Sequence, residues 1–270
     1  MQPLLMAKIE MLIEEIKKKQ SAVIAFSGGV DSTFLAYCAK LALGDKAIAI
    51  TIDAPQVPRW ELSEATELTA SWGMSHKVIC VALPPSVENN PEDRCYHCKR
   101  EIFGVLQETA RAMNFNVLMD GSNYDDLSDY RPGLRALKEL EVWSPLMQFG
   151  WTKSEIREAS AYFKLPTSDK PAYACLLTRI PANTVITHEL LKQIERAETV
   201  LFEEGFSGSR VRVHGDLARI EIQPSQYEKL MPLDLRARIS QRFKACGFRY
   251  VTFDILGYQM GSLNPSLEKG

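Results

Sequence analysis

The sequence predicts an α/β protein, a doubly wound parallel sheet followed by a smaller C-terminal α+β domain. Three observations carry this. Apolar runs alternate with helical patterns over residues 21–120, a glycine-bearing turn joins the first run to the next helix, and from about residue 187 the pattern becomes helix, two short strands, helix and strand.

Residues 1–20 spread their charges along an amphipathic helix. Then follow a strand at 22–26, a helix at 31–43, a strand at 46–52, a helix at 59–72, a strand at 76–82, a helix at 97–113 and a strand at 116–119. Such alternation implies parallel strands with helices on both faces, and ligands then lie at the carboxyl ends of the strands. Residues 27–32 fall at such an end, as do Asp53 and the stretch 120–126. Residues 150–186 hold one helix, 153–163, and then a segment broken by Pro166, Pro171 and Pro181, which prevents helix or central strand. Two short strands at 209–214 and 217–222 and one at 248–253 belong to the second domain. The expected division is 1–165, a connector at 166–186, and 187–270.

With 270 residues, 46% of them hydrophobic, the chain can fill a substantial core. Its net charge of −2 gives no general attraction for nucleic acid or membrane, so neither is expected as a partner. No apolar run approaches transmembrane length, and the reading is a soluble, cytoplasmic protein. Six unevenly spaced cysteines do not make a disulfide scaffold. Cys38 and Cys80 read as small core residues and Cys246 as a helix-end residue before Gly247, which leaves Cys95, Cys98 and Cys175.

The turn Ser27-Gly28-Gly29-Val30-Asp31-Ser32 is the most informative stretch. Adjacent glycines let backbone amides face an anion, and the following helix aims its positive end at the same point. Ser27 and Ser32 add hydroxyls, while Asp31 either caps the helix or faces a cation such as Mg²⁺. The bland alternative is a tight strand-to-helix turn with a capping Asp. Cys175 sits in the connector, with Lys170 five residues before it and Arg179 four after. Nearby cations favour thiolate, though a small buried residue in a packed loop reads equally well.

The six-residue turn resembles the PP-loop signature of the ATP pyrophosphatase superfamily, whose fold is of the adenine nucleotide alpha hydrolase type. There ATP is cut between its α and β phosphates and a substrate oxygen is adenylated. The segment Lys170-Pro-Ala-Tyr-Ala-Cys175-Leu-Leu-Thr-Arg179 resembles a motif of the LarE-type ATP-dependent sulfur transferases. Further matches are Arg94-Cys95-Tyr96-His97-Cys98-Lys99, Asp120-Gly-Ser-Asn-Tyr-Asp125-Asp126, Tyr130-Arg131-Pro132-Gly133 and Arg210-Val-Arg212-Val-His214-Gly-Asp216-Leu-Ala-Arg219, so the likeness runs over residues 21–263.

The resemblance implies that ATP with Mg²⁺ adenylates a carboxylate of pyridinium-3,5-biscarboxylic acid mononucleotide, a small-molecule nucleotide, and that sulfur then displaces AMP. The product serves nickel-pincer cofactor synthesis. Some members sacrifice the connector cysteine; others hold a 4Fe–4S cluster on three cysteines. Cys175 stands at the sacrificial position, and Cys95 and Cys98 with Cys175 supply three thiolates. Zinc with His97, a redox disulfide, or two thiols on one side of a helix are the other readings of the Cys95–Cys98 pair. Residues 27–32, Asp53 and Asp125 are expected at the nucleotide, with Asp31 and Asp126 at Mg²⁺; Asp126 reads equally as a solvated cap. Arg210 and Arg212 share one strand face, suited to a substrate phosphate or to sulfur transfer with Glu198, with surface salt bridging as the alternative. Family members form homohexamers, which implies a homo-oligomer. The competing functions are another PP-loop synthetase, amide-forming or tRNA-thiolating, and a non-catalytic nucleotide-binding module.

Overall fold

The computed structural model describes residues 3–128, 132–171 and 174–259. Tyr130 and Arg131 of one motif, Ala172 and Tyr173 of the connector, and the end of the family likeness at residue 263 lie outside the described residues. The chain divides into two units: residues 1–84 with 95–172, and residues 85–94 with 173–270.

In the first unit α1 (Pro3–Lys17), β1 (Ala22–Ala25), α2 (Val30–Leu43), β2 (Ala47–Asp53), α3 (Arg59–Ser71), β3 (Ser75–Cys80), α4 (Arg94–Ala112) and β4 (Val117–Met119) follow one another. The helices α5 (Gly133–Glu139), α6 (Pro145–Gln148) and α7 (Lys153–Tyr162) complete it. The four strands are parallel in the order β3-β2-β1-β4, with Ile24 opposite both Ala49 and Met119. Because successive strand side chains point to opposite faces, Ile24, Ala47 and Ala49 feed one core and Val23, Ile48 and Ile50 another. The first core takes Leu5, Ile9, Leu12 and Ile16 of α1, at helical spacing, together with Phe34 and Leu35 of α2 and Ile156 of α7. The second takes Phe103, Leu106 and Ala110 of α4 and Leu137 of α5. Helices therefore cover both faces, as the alternation of patterns requires.

Trp151 is fully buried, its ring 5.0 Å from that of Phe34. Trp151→Ala should cost about 3–5 kcal/mol, read as a lowered urea midpoint.

Two expectations need correction here. Cys80 is exposed rather than in the core, because β3 is an edge strand with only partial cover. The helix expected at 97–113 begins at Arg94, so Cys95 and Cys98 stand in its first turn, three residues apart on one side. Cys38 is buried as expected, and burial pushes its thiol well up.

The second unit contains α8 (His188–Glu203), β5 (Arg210–His214), β6 (Leu217–Glu221), α9 (Tyr227–Leu230), α10 (Leu233–Ala245) and β7 (Tyr250–Phe253). Strands β5 and β6 form an antiparallel hairpin turned at Gly215, whose φ of +60° suits glycine, and β6 pairs β7 in parallel. Helix α8 buries Leu191, Ile194, Ala197 and Leu201. Residues 85–94 join this unit through backbone pairing: Ile186 N donates to Glu88 O at 2.7 Å, and Asn183 N to Asn90 O at 2.9 Å. The buried Asn90 amide donates to the carbonyls of Ile180 and Pro181, both at 2.9 Å. Among the described residues no helix is long and apolar enough to cross a membrane.

Candidate functional site

The turn at residues 27–32 leaves β1 and enters α2 at the carboxyl edge of the sheet. Gly28 has φ +67°, a conformation strained for a side chain, and an added Cβ would lie 3.3 Å from Ala65 Cβ. Gly29 is the N-cap of α2 and offers no side-chain acceptor to the first-turn amides. The first hydrogen bond of the helix runs from Thr33 N to Gly29 O at 2.9 Å, so the amides ahead of it suit an anion. Within the turn, Ser27 and Ser32 Oγ are 3.1 Å apart, and Ser32 Oγ donates to Gly29 O at 3.2 Å.

Three neighbours hold this turn, all from the same unit. Gly121 lies backbone against backbone: an added Cβ would stand 2.9 Å from Ser32 N and 3.2 Å from Asp31 C. Its position is fixed by buried Asp120, which accepts from Ser122 N at 3.2 Å and from the hydroxyls of Ser122 and Ser144. Lys153, the first residue of α7, pairs with Asp31 Oδ2 at 2.6 Å, and its own amide donates to Asp125 Oδ2 at 2.8 Å. Lys170 donates to Gly28 O at 2.9 Å and pairs with Glu64 at 2.6 Å. Lys170 thus supports the turn at 27–32 within the first unit, and Cys175 belongs to the second.

Asp31 Oδ1 is buried and has no hydrogen-bond partner among the described residues, the condition of a carboxylate oxygen open to a cation. Asp126 is buried, with Oδ2 accepting from Asn123 N at 3.0 Å. The solvated cap is thus replaced by a buried one, since the 3₁₀ turn Tyr124–Ser128 folds the carboxylate back onto its own backbone. Asp53 ends β2, where it pairs with Arg59 and accepts from Cys80 Sγ at 3.6 Å. The two-glycine turn, the uncapped helix end and the open Asp31 oxygen fit a magnesium nucleotide.

In the second unit a 3₁₀ turn, Leu176–Arg179, follows half-buried Cys175. The Cys175 carbonyl accepts from Thr178 N at 3.1 Å, Thr178 Oγ1 at 2.9 Å and Arg179 Nη1 at 3.2 Å. Arg179 is 1% exposed and forks onto Glu198 of α8 at 2.8 and 3.1 Å, and Glu198 also accepts from Val211 N at 3.0 Å. Arg212 pairs with buried Glu221 at 2.8 Å and donates from Nη1 to Thr178 O at 2.7 Å. Arg210 donates to Ser209 O at 2.8 Å and stands 5.2 Å over the Tyr258 ring. Surface salt bridging does not describe these arginines, because alternation along β5 puts Arg210 and Arg212 on one buried face. Burial, then the nearby Arg179 charge, push the Arg210 guanidinium below its ordinary value.

Glu198→Gln would leave Arg179 buried beside a neutral amide. It should destabilise the protein by about 3–5 kcal/mol. Urea unfolding checks this, and an unchanged midpoint would refute it.

None of the six cysteines, all among the described residues, forms a disulfide, and Gln56 Nε2 lies 3.7 Å from Cys98 Sγ. Among the described residues no group of three or more His, Cys, Asp or Glu is placed to hold a metal ion. Sequence reasoning passed over Asp120, Ser144, Lys153, Gly121 and Glu221 as site-building residues. Only the placing of residues 120–126 at a strand end hinted at Asp120 and Gly121.

A family model described as NAD synthase matches residues 4–113. An uncharacterized protein of Synechocystis sp. is 41% identical over 98% of this chain and 100% of its own length. An uncharacterized protein of Methanocaldococcus jannaschii is 34% identical over 93% of this chain and 96% of its own. The pyridinium-3,5-bisthiocarboxylic acid mononucleotide synthase of Lactiplantibacillus plantarum is 30% identical over 98% of this chain and 96% of its own.

Proposed function

We propose, from the premise that this chain belongs to the LarE-type family of PP-loop, ATP-dependent sulfur transferases, that it adenylates a carboxylate of pyridinium-3,5-biscarboxylic acid mononucleotide, releases pyrophosphate and exchanges the AMP-bearing oxygen for sulfur. The observation that carries this reading is the full-length likeness to a synthase of that thiocarboxylate, on a chain whose turn at 27–32 suits a triphosphate. Residues 1–165 would carry adenylation, 166–186 the thiol, and 187–270 the substrate contacts and the assembly of a homo-oligomer, for which the family's hexamer is the form to test by light scattering.

The amides of Gly29 to Ser32 and the α2 terminus would take the phosphates, with Asp53 and Asp125 toward the nucleoside. Asp31, through its open oxygen, and Asp126 would hold Mg²⁺, which supplies charge neutralisation on the phosphates when bound. Lys153, already on Asp31, adds positive charge beside the turn. Arg210 would receive the substrate phosphate, while Arg212 and Glu198 serve sulfur transfer through the Cys175 turn. Cys175 is the sulfur donor in this reading. A second donor, sulfide on a 4Fe–4S cluster ligated by Cys95, Cys98 and Cys175, rests on the three cysteines of the sequence alone. Iron and acid-labile sulfide content of protein purified without oxygen decides between the two.

Incubation with ATP and the mononucleotide tests the whole reading. Pyrophosphate together with a product carrying sulfur in place of oxygen, seen by mass spectrometry, is the expected result. An amide product, thiolated tRNA, or bound ATP without pyrophosphate would each overturn it in favour of a competing function.

A further inference from the structure

Two buried ion pairs of the second unit end on the backbone of one short turn. Arg179 Nη1 donates to Ala174 O at 2.7 Å and to Cys175 O at 3.2 Å, and Arg212 Nη1 donates to Thr178 O at 2.7 Å. Behind each arginine stands a carboxylate: Glu198 behind Arg179, Glu221 behind Arg212. Glu221 is 0% exposed. A carboxylate at that depth is tolerated only when paired, and the planar guanidinium it holds keeps its remaining donors pointing in a fixed direction.

We propose that Glu221 is a positioning residue for the sulfur donor: it orients Arg212, Arg212 fixes the Thr178 carbonyl, and the turn thereby keeps Cys175 in one backbone conformation. Nothing in the family likeness singles out this carboxylate. The proposal rests on the reading above for the chemistry of Cys175. Its geometry stands apart from it, lying wholly within the second unit.

Alkylation by iodoacetamide, followed peptide by peptide, tests it without any activity assay, with exposed Cys80 of the first unit as the internal reference. In Glu221→Gln, which keeps the shape and removes the charge, the Cys175 rate should rise about fivefold relative to Cys80, because the released turn opens more often. Thiocarboxylate formation should fall about tenfold while pyrophosphate release stays unchanged. Arg219→Gln is the control: Arg219 touches Glu221 Oε1 at 3.1 Å from β6 and reaches no carbonyl of the turn in the bonds described above, so the Cys175 rate should not move. Should Glu221→Gln fail to fold, Arg212→Lys answers the same question, since one ammonium cannot reproduce the fork that joins Glu221 to Thr178 O. An unchanged or slower Cys175 rate in the folded variant overturns the proposal. Loss of sulfur transfer in the parent protein overturns the functional reading and leaves the clamp to be judged on alkylation alone.

Discussion

Gly121→Ala is expected to cut pyrophosphate release by about two orders of magnitude while the protein stays folded. The reason is steric and local. The new Cβ would stand 3.1 Å from Ser32 Cα and 2.9 Å from Ser32 N, the second a distance that real Cβ atoms essentially never adopt. No flexible side-chain end is there to yield, so either the turn at 27–32 or the segment after β4 must shift. The second shift is resisted by Asp120, whose carboxylate is tied to Ser122 and Ser144. The displaced partner is therefore the turn that would cradle the triphosphate, and the amides of its helix end lose their aim. Gly104, with nothing near its Cβ position, is the matched control: Gly104→Ala should leave the rate unchanged. Equal rates for the Gly121 variant and the parent would show that this contact does not shape the site.

The second large effect concerns sulfur. Cys175→Ala should abolish thiocarboxylate formation and spare pyrophosphate release, because the thiol belongs to the second unit and the turn at 27–32 to the first. The two activities are measured in one reaction, by phosphate-coupled assay and by mass spectrometry of the product. Unimpaired sulfur transfer by the variant would remove Cys175 from the mechanism. The combination of the two variants separates the half-reactions: the glycine change stops the first, the cysteine change only the second.

The elements whose signal is local were legible in the sequence. All six residues of the turn at 27–32 state its geometry, and the alternation of β-branched runs with helical spacing gives the parallel sheet. Cys80 was misread because the run Val78-Ile79-Cys80 carries no mark of its strand's place at an edge. The start of α4 was missed although Asp93, a residue type favoured at an N-cap, stands immediately before Arg94. Site residues defined by distant partners left no trace at all. Lys153 meets Asp31 across 122 positions, and Ser144 meets Asp120 across 24. A carboxylate such as Asp120 or Glu221 has the same look in a sequence whether solvated or fully buried, and only the fold supplies its partners. The pair Arg210 and Arg212 was legible as a shared face but not as a buried one, for the same reason.

Residues 85–94, which carry the Asn90 anchor, come from the middle of the first unit's sequence yet fold with the second. Scissors applied once, at 172, would therefore yield a fragment whose Ile186 amide and Ile180 carbonyl have lost their mates. An autonomous version of that lobe has to be sewn from two pieces of the gene, with 85–94 grafted ahead of residue 173 through an artificial linker.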